Sequence, residues 1–180
     1  MNEEQKTIVL SARAGDKKAF DQLVKENREK MFALTYRMTG NRETALDLVQ
    51  ETFLTAYREL PGFRGESSFS SWLYRIASNK TLNYLKRKKL VSFLPFGSQP
   101  GHEPSYVMPD TIDNSELKKA LARELANLPD REKLIFNLRF YDELPFGEIA
   151  RITGRSESTV KTQYQQAVKK LRSRLKEFRQ

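Results

Sequence analysis

The chain of 180 residues contains no cysteine, which excludes disulfides, thiolate nucleophiles and cysteine-ligated metals and agrees with a reducing compartment. Its single histidine, His102, has no second histidine or cysteine nearby, so no metal site is expected there. There is no GxxxxGK[ST] loop, no histidine pair and no set of carboxylates at metal-binding spacing, so the parts of an enzyme acting on nucleic acid are missing and no cofactor is expected. No run approaches the roughly 20 apolar residues of a membrane span, and the start MNEEQKTIVL lacks a charged-then-apolar signal. A cytoplasmic protein is therefore expected. Acidic residues are outnumbered 23 to 32 by lysine and arginine, giving a formal net charge of +9 and favouring a polyanionic partner.

What is present is helical periodicity, punctuated by turn residues. Residues 146–171, FGEIARITGRSESTVKTQYQQAVKKL, read as two short helices around a glycine turn. Ile149, Ala150 and Ile152 share one face of the first, and Gly154 supplies the positive φ of a sharp turn. Ser156 caps the second, in which Val160, Tyr164, Ala167, Val168, Leu171, Leu175 and Phe178 recur at spacings of three and four. A small residue, a glycine and an aliphatic at Ala150, Gly154 and Val160 fit a helix-turn-helix. The opposite face of the second helix carries Ser156, Ser158, Thr159, Lys161, Thr162, Gln165 and Gln166, followed by Lys169, Lys170, Arg172, Arg174 and Lys176. Such groups suit base edges and phosphates, although a solvated helix face is the alternative.

Upstream, residues 4–14 read as a short helix with Ile8, Val9, Leu10 and Ala12 as its apolar contribution, closed by Gly15, and Asp16 caps the next. Apolar spacing over 19–38 (Phe20, Leu23, Val24, Met31, Phe32, Leu34, Tyr36) predicts a long amphipathic helix ending at Thr39 and Gly40. Asn41 opens a third, with Ala45, Leu46, Val49, Phe53, Ala56, Tyr57 and Leu60 as its stripe and Pro61 with Gly62 as its end. The other face of that helix, Asp47, Gln50, Glu51 and Thr55 with Leu54 exposed among them, is acidic within a basic protein. DNA would repel it and an arginine-bearing protein would not, so it reads as either a docking surface or a solvated flank.

A polar loop, FRGESSFSS (63–71), precedes a fourth helix over 72–90, with Trp72, Leu73, Ile76, Ala77, Leu82 and Leu85 as its core. Asn79, Lys80, Asn83, Tyr84, Lys86, Arg87, Lys88 and Lys89 form a cationic, amide-bearing side suited to single-stranded DNA. Residues 91–114 hold four of the seven prolines and two of the eight glycines, so they read as an interdomain linker. Helical periodicity resumes at Ser115 with Leu117, Leu121, Leu125 and Leu128. Pro129 breaks it, and Asp130 caps a further helix carrying Leu134, Ile135, Leu138, Arg139 and Phe140. The expected fold is all-α, with four helices in an N-terminal domain (1–90), a linker (91–114) and four in a C-terminal domain (115–180).

Four collinear segments carry a resemblance: GDKKAFDQLVKEN, ALDLVQETFLTAYREL, GFRGESSFSSWLYRIASNKTLNYLKRKK and LPDREKLIFNLRFYDELPFGEIARITGRSESTVKTQYQQAVKKLR. Together they resemble the bacterial RNA polymerase sigma factors of the extracytoplasmic-function group of the sigma-70 family. The resemblance implies that Leu46, Asp47, Gln50, Glu51, Phe53 and Tyr57 dock on the clamp coiled coil of the largest polymerase subunit, with the flap region as a second polymerase contact. It implies that Phe63, Arg64, Ser68, Phe69, Asn79 and Asn83 capture unwound bases of the minus-10 element, with Lys86, Arg87, Lys88 and Lys89 on the backbone. Many relatives carry an acidic residue in place of Asn83. It implies minus-35 duplex recognition by Arg155, Ser156, Ser158, Thr159, Lys161, Thr162, Gln165, Gln166 and Lys169, where Lys161 stands in for a common arginine. Core polymerase, duplex and single-stranded promoter DNA and an anti-sigma protein are the implied partners, with no small-molecule substrate. The rival reading is a self-sufficient helix-turn-helix regulator; against it stand the acidic third helix and the second cationic helix.

Overall fold

The computed structural model describes residues 3–92 and 115–176. They form eight α-helices and one short 3-10 turn, with no strand among the described residues. The helices are α1 (Glu3–Arg13), α2 (Lys17–Thr39), α3 (Arg42–Glu59), α4 (Phe69–Ser92), α5 (Ser115–Ala126), α6 (Asp130–Phe140), α7 (Phe146–Thr153) and α8 (Glu157–Arg174).

The caps explain the boundaries. The Asp16 carboxylate accepts the amides of Lys18 and Ala19 at 2.8 and 3.3 Å, and Asn41 accepts that of Thr44 at 2.8 Å. Gly40 ends α2 in the left-handed region at φ 65°. The helix expected from residue 72 begins at Phe69, because the Ser68 hydroxyl accepts the Ser71 amide at 3.0 Å and starts the coil earlier. It also runs through Val91 and Ser92, the first two positions of the expected linker; residues 93–114, His102 among them, lie outside the described residues. Pro129, rather than Asp130, occupies the cap position of α6.

In the N-terminal half α2 packs on α1, α3 and α4, and α3 packs on α4. The α3 stripe is rotated from its expected position. Ala45, Leu48, Val49, Thr52, Phe53, Ala56 and Leu60 are buried, whereas Leu46 and Tyr57 are 39% and 46% exposed. Thr52 tolerates burial because its hydroxyl donates to the Leu48 carbonyl at 2.7 Å. Leu10, expected in the core, is 60% exposed on α1.

Helix α6 is the hub. Lys133, Leu134, Ile135, Phe136, Asn137 and Leu138 are all buried in succession, so it is covered on every side. One side meets α2 and α4, the other α7 and α8. Leu134, Ile135, Leu138, Ile149, Ile152 and Val160 therefore join Met38, Leu73 and Tyr74 in one continuous core that spans both halves. A smaller cluster of Leu125, Ala126, Leu128, Phe136, Ala167 and Leu171 holds α5 and α8. The two halves expected from the linker are thus packed on one another, an arrangement that side-chain spacing does not reveal.

Candidate polymerase and nucleic-acid interfaces

On α3, Leu46, Asp47, Gln50, Glu51, Leu54 and Tyr57 are exposed on one flank, an acidic surface with apolar anchors. Phe53, the remaining residue of the expected docking set, is in the core at 9% exposure and supports this face from behind. The Tyr57 ring stands edge-on to Phe20, with centroids 4.9 Å apart, which holds it in place at the surface. Lys80 of α4 reaches Glu51 at 3.2 Å.

Of the residues expected at the minus-10 pocket, Phe63 and Phe69 are buried, at 6% and 4% exposure. They pack with Trp72 in a three-ring cluster, centroids 4.9 to 6.2 Å apart, so their rings brace the loop from inside. Ser68 is engaged in capping, its hydroxyl 2.6 Å from that of Ser71. Arg64 projects from the loop, near Glu66 at 3.9 Å. Asn79 and Asn83 are exposed on one side of α4, and Lys86, Arg87, Lys88 and Lys89 follow along it. Lys89 forms an ion pair with Asp130 at 2.7 Å, which joins the end of α4 to the start of α6.

The helix-turn-helix forms as the spacing predicts. Ile149, Ala150 and Ile152 are buried on α7, Gly154 turns the chain at φ 64°, and Val160 is fully buried on α8. Ser156 caps α8, accepting the Thr159 amide at 3.2 Å and lying 2.7 Å from the Thr159 hydroxyl. Arg155, Ser156, Ser158, Lys161, Thr162, Gln165, Gln166 and Lys169 are exposed and Thr159 is half-buried. Lys161 pairs with Glu157 at 2.7 Å, one turn back. Arg139 shapes the approach, donating to the Leu144 carbonyl at 3.2 Å while its guanidinium covers the Phe146 ring. Phe178, the last member of the α8 stripe, lies outside the described residues.

Three features have no counterpart in the sequence reading. The first is a polar cavity of about 200 Å³ at the seam between the halves. Ser78, Asn79 and Asn83 stand on one wall, and Arg131, Arg155 and Gln163 on the other. The second is an apolar groove of about 320 Å³ between α6 and α8, lined by Phe136, Phe140, Tyr164, Val168 and Leu171, with Phe140 55% exposed. The third is a set of buried polar side chains centred on Arg37. Its Nη2 donates to both carboxylate oxygens of Asp142 at 2.9 and 3.0 Å, and its Nε donates to Asn137 Oδ1 at 2.8 Å. Burial pushes the Asp142 carboxyl above its ordinary range, while the Arg37 guanidinium and the Tyr74 hydroxyl pull it back. Burial, aided by the Asp142 charge, likewise pushes the Tyr74 phenol up. Nothing in residue spacing marks these groups, because burial of an arginine or aspartate depends on what another helix brings to it.

Among the described residues no helix is long and apolar enough to cross a membrane, and no group of three or more histidine, aspartate or glutamate residues is placed to hold a metal ion.

The Sigma-70 region 2 family matches residues 23–91, and the Sigma-70, region 4 family matches residues 118–171. The chain is similar to the ECF RNA polymerase sigma factor SigW of Bacillus subtilis, 32% identical over 96% of this chain and 97% of that protein. It is also similar to the ECF RNA polymerase sigma-E factor of Escherichia coli, 32% identical over 86% and 85% of the two chains. In fold it resembles CnrH, solved in complex with the cytosolic domain of CnrY, with a TM-score of 0.69 at 23% identity over 96% and 97%. It also resembles RpoE of Bartonella quintana, solved with the anti-sigma factor NepR, with a TM-score of 0.72 at 22% identity over 88% and 98%. With both family regions matched in order and a relative aligned along almost its whole length, the chain belongs to the ECF RNA polymerase sigma factors of the sigma-70 family.

Proposed function

We propose that this protein is a promoter-specificity subunit that acts in the cytoplasm, recruits core RNA polymerase to promoters and opens the duplex there, with no chemistry or cofactor of its own. The observation that carries this reading is the pairing of an acidic, anchor-bearing face on α3 with two separate cationic surfaces on α4 and α8, in a chain matched by both sigma regions. Asp47, Gln50 and Glu51 with Leu46, Leu54 and Tyr57 would grip the basic side of the clamp coiled coil. The apolar groove between α6 and α8 suits an aliphatic or aromatic element of the flap region.

On the template, Asn79 and Asn83 are the groups aimed at unpaired minus-10 bases, with Lys86, Arg87 and Lys88 on the backbone. The amides and hydroxyls at the start of α8 are aimed at the minus-35 duplex. Energy for strand opening comes from binding: extruding a base costs a few kcal/mol, and each base stacked on protein returns roughly 1 to 3 kcal/mol. The burial of Phe63 and Phe69 leaves the amides and Arg64 as the direct contacts and gives the rings the task of holding the loop.

Reconstitution with core polymerase, followed by run-off transcription across genomic fragments, tests this. Defined transcripts that need both proteins are expected. A chain that binds promoter duplex tightly by itself and leaves core polymerase unaffected would be a stand-alone regulator instead.

A further inference from the structure

We infer that the polar cavity where α4 meets α6, α7 and α8 is a binding site for inorganic phosphate. The inference goes beyond the function proposed above and is tested without polymerase or promoter DNA.

Two orphaned polar atoms mark the place. Among the described residues, the buried side-chain nitrogens and oxygens left without a hydrogen-bond partner are Ser78 Oγ and Gln163 Oε1. They come from α4 and α8, and both residues line the same cavity of about 200 Å³. Ser78 is only 1% exposed. A buried hydroxyl within a helix commonly satisfies itself on the carbonyl four residues back. Thr35, Thr52 and Thr81 do so, the last on the same helix as Ser78 and at 2.7 Å. Ser78 does not, which leaves its hydroxyl for an occupant of the cavity.

The rest of the polar lining selects an anion. Arg131 and Arg155 bring two guanidiniums, Asn79 and Asn83 bring amide donors, and no carboxylate lines the cavity. Neither arginine has an ion pair among the described residues. The acids next to them in sequence are already paired, Asp130 with Lys89, Glu132 with Lys170 and Glu157 with Lys161, each at 2.7 Å. Leu134, Ile135 and Ile152 back the site with apolar surface, beside which charge-assisted hydrogen bonds strengthen.

Size and protonation narrow the class to one ligand. The volume far exceeds the ~10–15 Å³ that a single water needs, and it falls below the roughly 300 Å³ at which clefts begin to hold drug-sized molecules. A tetrahedral oxoanion with a few waters is of that size. Gln163 Oε1 can only accept, so its partner must bring a hydrogen. Inorganic phosphate keeps an O–H at neutral pH and donates it there, while its other oxygens accept from the guanidiniums, the asparagine amides and Ser78. Sulfate and the phosphodiesters of DNA carry no such proton. A phosphate monoester has largely lost its own by pH 7, because its second pKa is about 6.

Isothermal titration calorimetry of the full chain with phosphate, in chloride buffer at pH 7.5 and fixed ionic strength, tests this. One saturable site per chain is expected, with sulfate and methyl phosphate each at least tenfold weaker. Ser78→Ala and Arg131→Gln are each expected to weaken phosphate at least tenfold, and Gln163→Leu to erase its preference over sulfate. Arg131 is exposed, so its variant reports on the site even where a substitution deeper in the cavity disturbs folding.

Thermal unfolding gives a second readout that a merely structural role would not move. A ligand that binds only the folded chain raises its melting temperature, so phosphate should raise it more than sulfate does. Ser78→Ala removes an unsatisfied buried hydroxyl and should melt no lower than the parent without phosphate, yet lose the phosphate-dependent rise. Equal heats and equal melting shifts for phosphate and sulfate would reduce the effect to screening of a chain of net charge +9 and overturn the site. Phosphate binding that survives both Ser78→Ala and Arg131→Gln would also overturn it, by placing the anion elsewhere. So would the absence of binding, which would leave the cavity to water.

Discussion

The ammonium of Lys80 on α4 meets the carboxylate of Glu51 on α3 at 3.2 Å, so the cationic helix and the acidic face of α3 are linked at their shared border. The pair is open to water on the glutamate side, whose side chain is 61% exposed. Pairs of this kind contribute 0 to about 1 kcal/mol. The acidic face is therefore not held for stability, and its charges are free to be altered one at a time.

Asp47 offers the sharpest change. It is exposed on α3. Asp47→Arg is expected to abolish co-purification with core polymerase while shifting unfolding free energy by less than about 0.5 kcal/mol. Unaltered co-purification would remove this face from the docking surface.

Asn79 stands at the mouth of the seam cavity on α4. Asn79→Ala is expected to slow strand opening on duplex promoters by roughly 10-fold, the equivalent of about 1.4 kcal/mol. On a template already melted at the minus-10 element the loss should be much smaller. Equal losses on the two templates would place its role outside base capture.

Lys161 lies on the exposed side of α8, paired with Glu157 one turn back and with its ammonium 5.9 Å from the centre of the Phe146 ring. Lys161→Ala should weaken promoter use by a factor of several, consistent with one lost cationic contact, while affinity for core polymerase stays the same. Parallel loss of both would assign the residue to another surface.

Gly154 adopts φ 64° in the turn of the helix-turn-helix, and a Cβ there would meet no atom within 4 Å. The penalty of Gly154→Ala is therefore backbone strain alone, about 1 to 2 kcal/mol. Gly154→Asn, which tolerates the left-handed region better, should lose less. Thermal unfolding of both variants measures the difference, and equal losses would show that the turn demands more than a permissive φ.

Lys133 gives a prediction in pH. Its ammonium is buried, donating to the Ala126 carbonyl at 2.8 Å, and burial pushes its pKa below the ordinary 10.5. Between the shifted value and 10.5 the unfolded chain holds a proton that the folded chain has released, so stability rises with pH in that window. The penalty of charging the buried amine is complete below the shifted value. Lys133→Met removes it, so the stability difference between variant and parent should shrink as pH rises towards 10, by at most about 1.4 kcal/mol per pH unit. Chemical unfolding at pH 7, 8.5 and 9.5 measures it; a difference independent of pH would mean that the amine is not titrating there. The range stops short of pH 10 because burial raises the Tyr74 phenol, which opposes the trend once tyrosine ionises in the unfolded chain.

Local chemistry was enough for the helices and their ends. Asp16, Gly40, Asn41, Gly154 and Ser156 act through their own side chains or their own φ within one turn of where they stand, so their roles follow from the sequence alone. The helix-turn-helix was legible for the same reason, since Ile149, Ala150, Gly154 and Val160 interact within a dozen residues. The direction of a buried stripe was less so. Leu46 and Leu48 are both leucines, two residues apart on different faces of α3, and only the position of α2 and α4 decides that Leu48 is covered while Leu46 is left at the surface. The aromatic loop went the same way: Phe63 and Phe69 look equally fit for bases or for a core, and Trp72 draws them inward.

The sequence by itself determined the all-α class, the helix ends, the turn of the DNA-reading motif and the acidic and basic faces, because each depends on contacts a few residues apart. Only the tertiary structure decided that α6 lies buried between the halves and that Arg37 finds Asp142 across 105 residues. The physical reason is that a charge is worth burying only where a partner is already fixed in place, and that partner comes from a part of the chain with which Arg37 shares no local pattern.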